Sequence, residues 1–86
     1  MTTKTPILVT YWRNMEWFAF ARGWDHVRLA TELGITMNTL NRLRFGRARY
    51  IDPEMFDASC EVFNCQPNDL LLPQPEVERR YANQVV

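Results

Sequence analysis

Hydrophobic residues recur along this chain with the spacing of short amphipathic helices. The first such segment spans residues 10–22, which contain neither glycine nor proline. Its apolar positions fall at i, i+3, i+6 and i+7, as on one face of an α-helix: Trp12, Met15, Phe18 and Ala19. The pattern predicts a first helix, and Gly23 directly after it is a suitable stop.

A second, shorter helix is predicted over residues 26–33. Asp25 precedes it as a candidate N-cap, and Gly34 follows its last apolar position. One face of this segment is apolar and is expected to face the core: Leu29, Ala30 and Leu33.

A third helix is predicted over residues 37–45, close behind the second. Thr36 can cap its first turn, and Gly46 marks its end. Leu40 and Leu43 are expected to point back at the core.

The second and third helices have the spacing of a helix-turn-helix motif. Ala30 is small where the two helices must cross closely. Gly34 accepts the positive φ of a tight turn, and Ile35 can fill the gap beneath that turn.

Two further helices are predicted after a short basic loop. Asp52 and Pro53 supply an N-cap followed by proline at the first helical position, which favours a helix over residues 53–64. Its predicted buried stripe consists of Phe56, Cys60 and Phe63. Pro67 opens a short fifth helix whose apolar residues can close the core: Leu70 and Leu71.

Five short helices with short connections predict a compact all-α domain, which we place at residues 10–72. Residues 1–9 are predicted to form an N-terminal arm, with a possible strand at residues 7–9. Residues 73–86 begin with Pro-Gln-Pro, which breaks regular structure. We expect them to form a tail that is flexible or takes part in dimerisation.

The composition indicates a small folded domain rather than an enzyme or a membrane protein. The 86 residues are 47% hydrophobic, which allows one core but no large catalytic cleft. No apolar run approaches the roughly 20 residues of a membrane span, and the first residues lack a signal-peptide pattern, so we expect a cytoplasmic protein. Cys60 and Cys65 are predicted to be reduced apolar residues, and we expect no metal, no cofactor and no catalysis.

The net charge of zero conceals a division along the chain. Residues 1–50 carry eight basic and three acidic residues, a net charge of +5, whereas residues 51–86 carry two basic and seven acidic residues, a net charge of −5. This asymmetry indicates one anion-seeking side. The alternative is an ordinary solvated surface of mixed charge.

The outward face of the third helix carries side chains that can contact DNA bases. On a helical wheel, the residues opposite the core-facing leucines include no acid: Met37, Asn38, Asn41, Arg42 and Phe45. Asparagine can bond adenine N6 and N7, arginine can bond guanine O6 and N7, and a methionine can touch a thymine methyl group. We predict base contacts from Met37, Asn38, Asn41 and Arg42, with Asn38 and Arg42 as the principal pair.

Other polar residues near this helix suit the DNA phosphates, which need hydrogen-bond donors. Residues 33–51 contain no acid, and their candidate phosphate contacts are Thr39, Arg44, Arg47, Arg49 and Tyr50. His26 begins the second helix, where its ring and the helix amides could meet a phosphate. The alternative for His26 is a capping or merely exposed imidazole.

These motifs, taken in order, resemble the Cro and phage-repressor (XRE-type) helix-turn-helix proteins. The similarity covers roughly residues 11–72 and includes Leu-Ala at 29–30, Leu-Gly-Ile at 33–35, TMNTLNRL at 36–43, Phe-Gly at 45–46 and the segment 51–71. The chain departs from the pattern at three positions: His26 in place of a common glutamine, Ser59 in place of a buried aliphatic residue, and Gln66 in place of a Ser or Thr cap.

The resemblance implies a five-helix, lambda-repressor-like domain that inserts its third helix into the major groove. It also implies a symmetric dimer on a palindromic operator of double-stranded DNA, and most simply a repressor. The positions that match the family's base contacts are Met37, Asn38 and Arg42. Those that match its backbone contacts are His26, Thr39, Arg49 and Tyr50.

The first helix is rich in aromatic residues that the core does not obviously need. Trp17 and Phe20 lie away from its predicted core face, and exposed aromatic residues often mark interfaces. We predict a homodimer that uses Trp17, Phe20, Val77 and Tyr81, with a core role for these aromatics as the alternative.

Two other functions are compatible with the same residues. The chain could be an antitoxin that binds DNA and grips a toxin through its tail or acidic half. It could also be a protein-interaction module that has kept the fold and lost DNA binding, which the net charge of zero would favour.

Overall fold

Five α-helices and two 3₁₀ turns make up most of the computed structural model, which describes residues 6–84. The α-helices are α1 (Pro6–Ala21), α2 (His26–Leu33), α3 (Met37–Arg44), α4 (Pro53–Phe63) and α5 (Gln74–Arg80). The 3₁₀ turns lie at Asp69–Leu71 and Ala82–Gln84. Within the described range there is no strand, so the all-α prediction is confirmed. None of the helices in this range is long and apolar enough to cross a membrane.

Helix α1 begins earlier than the sequence pattern predicted. It starts at Pro6 rather than Thr10, so the strand expected at residues 7–9 is wrong, as is the arm over residues 6–9. The rest of the predicted arm, residues 1–5, lies outside the described residues. Proline is favourable in a first helical turn because its missing N–H would have no partner there. Leu8 lies in this added turn and joins the core, which offsets the weak helix propensity of its β-branched neighbours.

The fifth helix lies in a different place from the one predicted. The segment after Pro67 forms only the 3₁₀ turn at Asp69–Leu71, and α5 follows it. The prediction that Pro-Gln-Pro breaks regular structure is wrong, because Pro75 falls in the first turn of α5, where a proline is tolerated.

Helix α1 forms the centre of the core. Tyr11, Met15 and Phe18 on this helix are fully buried, and every other α-helix contributes at least one side chain to the same cluster. The ring of Phe18 stacks on Phe63 of α4 at 5.0 Å between centroids. Burying a large apolar side chain stabilises a fold by about 1.5–3 kcal/mol, so these contacts fix the helices around α1.

The buried stripe of α4 contains Phe63 as predicted but differs from the prediction at its other two positions. Met55, Ser59 and Phe63 are the buried residues, whereas Phe56 and Cys60 are half-buried. The hydrophobic periodicity predicted the helix correctly. The apolar side chains of Phe56 and Cys60, however, lie at the edge of its inner face, and Ser59 lies at the centre.

Asn14 is a fully buried polar residue that joins α1 to the chain after α4. Its Nδ2 donates to the carbonyl oxygens of Leu70 at 2.7 Å and of Leu72 at 2.8 Å. These bonds satisfy carbonyl groups of a 3₁₀ turn that is too short to pair its own backbone fully.

Candidate nucleic-acid interface

Helix α2 and the turn after it are formed as the sequence predicted. Asp25 caps α2, since its Oδ1 accepts a hydrogen bond of 2.8 Å from the backbone N–H of Arg28. Gly34 ends α2 in the left-handed region at φ 72°, which costs glycine little. The Ile35 N–H then donates to the Ala30 carbonyl at 3.0 Å, which closes the turn and directs the chain into α3.

Thr36 starts α3 as its N-cap. Its Oγ1 accepts a hydrogen bond of 3.1 Å from the backbone N–H of Thr39. The Thr39 hydroxyl lies 3.1 Å from the same oxygen, so one of the predicted phosphate contacts takes part in the cap. This cap fixes the first turn of α3, which carries Met37 and Asn38.

The exposed face of α3 is narrower than the helical wheel predicted. Leu40 and Leu43 are buried, which confirms the core side, and Asn38 and Arg42 are exposed at i and i+4. Met37, by contrast, is half-buried and packs against the core.

Asn41 also lies at the edge of the exposed face rather than on it. It is half-buried, and its Oδ1 is inaccessible to solvent and has no hydrogen-bond partner among residues 6–84. Met37 directly precedes Asn38, and Asn41 directly precedes Arg42. Both lie on the side of α3 nearer the core. The outward polar pair is therefore Asn38 and Arg42.

Four exposed arginines of α3 and the following loop make no salt bridge within residues 6–84: Arg42, Arg44, Arg47 and Arg49. Other arginines do have acidic partners. Arg28 lies 2.7 Å from Glu32, and Arg80 lies 3.2 Å from Asp69. Because no acid occurs between residues 33 and 51, the four arginines keep their charge and donors available to an external anion.

A cleft of about 140 Å³ brings four predicted site residues together beside α3. These four lining residues are Thr39, Arg42, Arg49 and Tyr50. The loop is held to α3 because the N–H groups of Arg47 and Ala48 both donate to the Arg42 carbonyl, at 2.7 and 3.0 Å. The end of α3 and the loop therefore form one basic surface, and Asp52 also lines its cleft.

The His26 side chain contacts three residues of α1. Its Nε2 lies 2.9 Å from Glu16 Oε2, and its ring packs between Trp12 and Phe20 at centroid distances of 5.6 and 5.5 Å. One ring nitrogen is thus already bonded inside the protein. Sequence reasoning missed this pairing because Glu16 and His26 lie on different helices, with no periodic relation between them.

The four residues predicted at a dimer interface lie in different environments. Val77 is fully buried, so its predicted place at a subunit surface is wrong for this fold. Tyr81 packs edge-on against Phe18 at 5.3 Å, and its hydroxyl donates to Asp69 at 2.5 Å, so it too is an internal contact. Trp17 is half-buried, and only Phe20 is well exposed, at 54%.

Phe45 is an exposed aromatic residue at the end of α3. Its side chain is 52% exposed, and two guanidinium groups lie over its ring, with Cζ of Arg44 at 4.8 Å and of Arg47 at 6.0 Å from the centroid. The sequence placed it on the outward face but gave it no role.

Comparison with known proteins is consistent with this geometry. The family model for the Cro/C1-type HTH DNA-binding domain matches residues 19–76, which include α2, the turn and α3. The chain is also 33% identical over 58 residues to the "Uncharacterized HTH-type transcriptional regulator YozG" of Bacillus subtilis (strain 168), across 67% of this chain and 69% of that protein. No solved structure matches it significantly. The chain belongs to the Cro/C1-type helix-turn-helix DNA-binding domain family.

Proposed function

We propose that this protein is a sequence-specific, DNA-binding regulator of transcription that places α3 in the major groove. The observation that carries the proposal is the exposed Asn38–Arg42 pair beside arginines that have no acidic partner in the described part of the chain. The family match and the relative named as a transcriptional regulator support it.

In this proposal, base recognition comes from the exposed face of α3. The Asn38 amide has the donor and acceptor that adenine N7 and N6 require, and the Arg42 guanidinium has the two donors that guanine O6 and N7 require. Each such bidentate contact discriminates against a wrong base by about 1–3 kcal/mol. Met37 and Asn41 flank the pair, and being half-buried they contribute smaller contacts at the edge of the helix.

The loop after α3 supplies the phosphate contacts. Arg44, Arg47 and Arg49 are exposed cations, and the hydroxyls of Thr39 and Tyr50 add neutral donors. His26 contributes from the start of α2, where the helix N-terminus favours an anion and Glu16 fixes the ring. These contacts would position α3 without reading sequence.

We further propose a homodimer on a palindromic operator, and repression by occlusion of a promoter as its simplest use. Of the residues first predicted at the dimer surface, Phe20 offers the exposed apolar area, with Trp17 beside it on α1. Sedimentation at tens of micromolar tests this part. We expect a dimer that Phe20→Ser dissociates, and a monomer both with and without operator DNA would contradict it.

Selection from a random DNA pool tests the proposed function. We expect the wild-type protein to enrich one palindrome, and Asn38→Ala/Arg42→Ala to lose that preference while it keeps weak, salt-sensitive binding. A matched control is Asn68→Ala/Arg79→Ala, which removes an exposed asparagine and an exposed arginine outside α3 and its loop and should enrich the same palindrome. Failure of the wild type to retain any DNA at low salt would contradict the proposal.

The alternative of a protein-interaction module makes the opposite prediction for the basic surface. If DNA is the partner, Arg42→Glu/Arg49→Glu should abolish DNA binding and regulation together. One arginine proposed to contact a base and one proposed to contact a phosphate then become acidic, and the DNA repels them. If the chain acts only through a protein partner, the same variant should keep its activity.

A further inference from the structure

Phe45 continues the exposed stripe of α3 that carries Asn38 and Arg42. The three residues follow one another at i, i+4 and i+7, the spacing that aligns side chains along one side of a helix. Their alignment places an apolar ring, 52% exposed, in line with the two polar groups proposed to contact bases.

The ring is also held in a defined position rather than left free. The Phe45 backbone N–H donates to the Asn41 carbonyl at 2.9 Å, so α3 still fixes its main chain. The guanidinium groups of Arg44 and Arg47 lie over the ring at 4.8 and 6.0 Å, and such cation–π contacts restrict its rotamers. A guanidinium above a ring keeps its N–H groups free to bond phosphate oxygens.

We propose that Phe45 contacts the 5-methyl group of a thymine in each half-site, and thereby adds a base preference to that of Asn38 and Arg42. This inference rests on the proposed function. An aromatic side chain in the major groove has one apolar feature of a base edge to recognise, and that feature is the thymine methyl group. Arg44 and Arg47, whose guanidinium groups lie over the ring, hold it in place while they bind the adjoining phosphates.

Thymine-to-deoxyuridine substitution in the selected operator tests this contact, because it removes the methyl group and leaves base pairing unchanged. We expect one thymine in each half-site to be sensitive to this substitution. Deoxyuridine at that position should weaken wild-type binding by about fourfold for each half-site substituted, which is the affinity contributed by burying one methyl group. Phe45→Ala should bind the thymine and deoxyuridine operators equally. Phe45→Leu, which keeps an apolar side chain, should retain part of the difference.

Two controls make the result specific to this side chain. Ile7→Ala truncates another exposed apolar residue, on α1, and should leave the thymine preference intact. Phe45→Ala should still lose affinity when the base pairs recognised through Asn38 and Arg42 are changed, which shows that it remains folded and bound in register.

The inference is overturned if no thymine in the operator shows a methyl effect, or if Phe45→Ala keeps the full effect. Either result leaves the proposed function standing as long as the Asn38→Ala/Arg42→Ala variant loses its sequence preference. If the wild type selects no sequence at all, the proposed function itself fails.

Discussion

Ser59 shows how single polar groups hold this core together. It is fully buried, and its hydroxyl oxygen lies 2.7 Å from Tyr11 Oη, 2.7 Å from the Met55 carbonyl and 3.2 Å from Met15 Sδ. Burial without a partner would cost a hydroxyl about 1–3 kcal/mol, so Ser59 and Tyr11 depend on each other. The same burial raises the pKa of Tyr11, which stays protonated at neutral pH.

Mutation of this pair should be strongly non-additive. Ser59→Ala and Tyr11→Phe should each lower the free energy of unfolding by about 1–3 kcal/mol, because each leaves a buried hydroxyl with fewer partners. The double mutant should be less destabilised than the sum of the two, since both polar groups are then gone. Urea unfolding of the four proteins measures this, and strict additivity would contradict the paired arrangement.

The two cysteines should be unreactive in the folded protein. Burial raises the pKa of Cys60, and it raises the pKa of Cys65 to about 12, so little thiolate exists at neutral pH. The raised folded-state pKa also means that stability is lost as the pH rises from about 8.5, the unfolded value, towards 12. Alkylation with iodoacetamide at pH 8, followed by mass spectrometry, should be much slower than in urea, and equal rates would contradict this assignment.

At the residue scale, the sequence predicted local features well and long-range ones poorly. The caps Asp25, Thr36 and Asp52 were predictable because a cap bonds the backbone only two or three residues away. The buried roles of Asn14 and Ser59 were not predictable, because the partners that join them to other elements lie 44–58 residues away and become neighbours only in the fold.

At the scale of elements, α5 is the main departure from the sequence-based expectation. It was predicted as a tail, yet Val77 is fully buried. Arg22 of the loop after α1 bonds Gln84 at 2.9 Å just beyond α5. Proline is ambiguous in sequence, since it ends one helix and equally begins the next. The apolar residue that decides between the two outcomes is a single valine, too few to show a period.

Val77 should therefore contribute to stability as a core residue. Val77→Ala removes two buried carbon atoms and leaves a cavity, and should lower the free energy of unfolding by about 2 kcal/mol. Val27 on α2 is 60% exposed, so Val27→Ala is the matched control and should change the free energy of unfolding by less than about 0.5 kcal/mol. Thermal or urea unfolding compares them, and similar values for both variants would mean that α5 does not pack on the core in solution.

For the molecule as a whole, the net charge of zero is misleading because the charges are separated. Four arginines and no acid occur in α3 and its loop (residues 37–51), whereas α4 carries an exposed acidic stripe: Glu54, Asp57 and Glu61. None of these acids forms a salt bridge with another residue in the range 6–84. The basic surface therefore keeps its potential, and salt should weaken DNA binding despite the neutral total.

The sequence predicted the basic surface and the Asn38–Arg42 pair because both follow from charge and helical periodicity. It could not predict the half-buried positions of Met37 and Asn41, since a wheel gives direction but not the neighbours that cover a side chain. The pairing of His26 with Glu16 and the burial of Val77 depend on how α1 packs, which no local pattern encodes.

Base recognition by α3 is tested most directly by the affinity for the selected operator relative to scrambled DNA, measured by fluorescence anisotropy at several salt concentrations. The wild type should prefer the operator by about a thousandfold or more. Asn38→Ala/Arg42→Ala should reduce this ratio by about a hundredfold. Arg47→Ala/Arg49→Ala should instead weaken binding to both DNAs. It should also reduce the slope of the logarithm of the binding constant against the logarithm of salt concentration by about two per bound chain. If the Asn38→Ala/Arg42→Ala variant keeps the wild-type ratio, α3 does not read the sequence, which contradicts the proposed function.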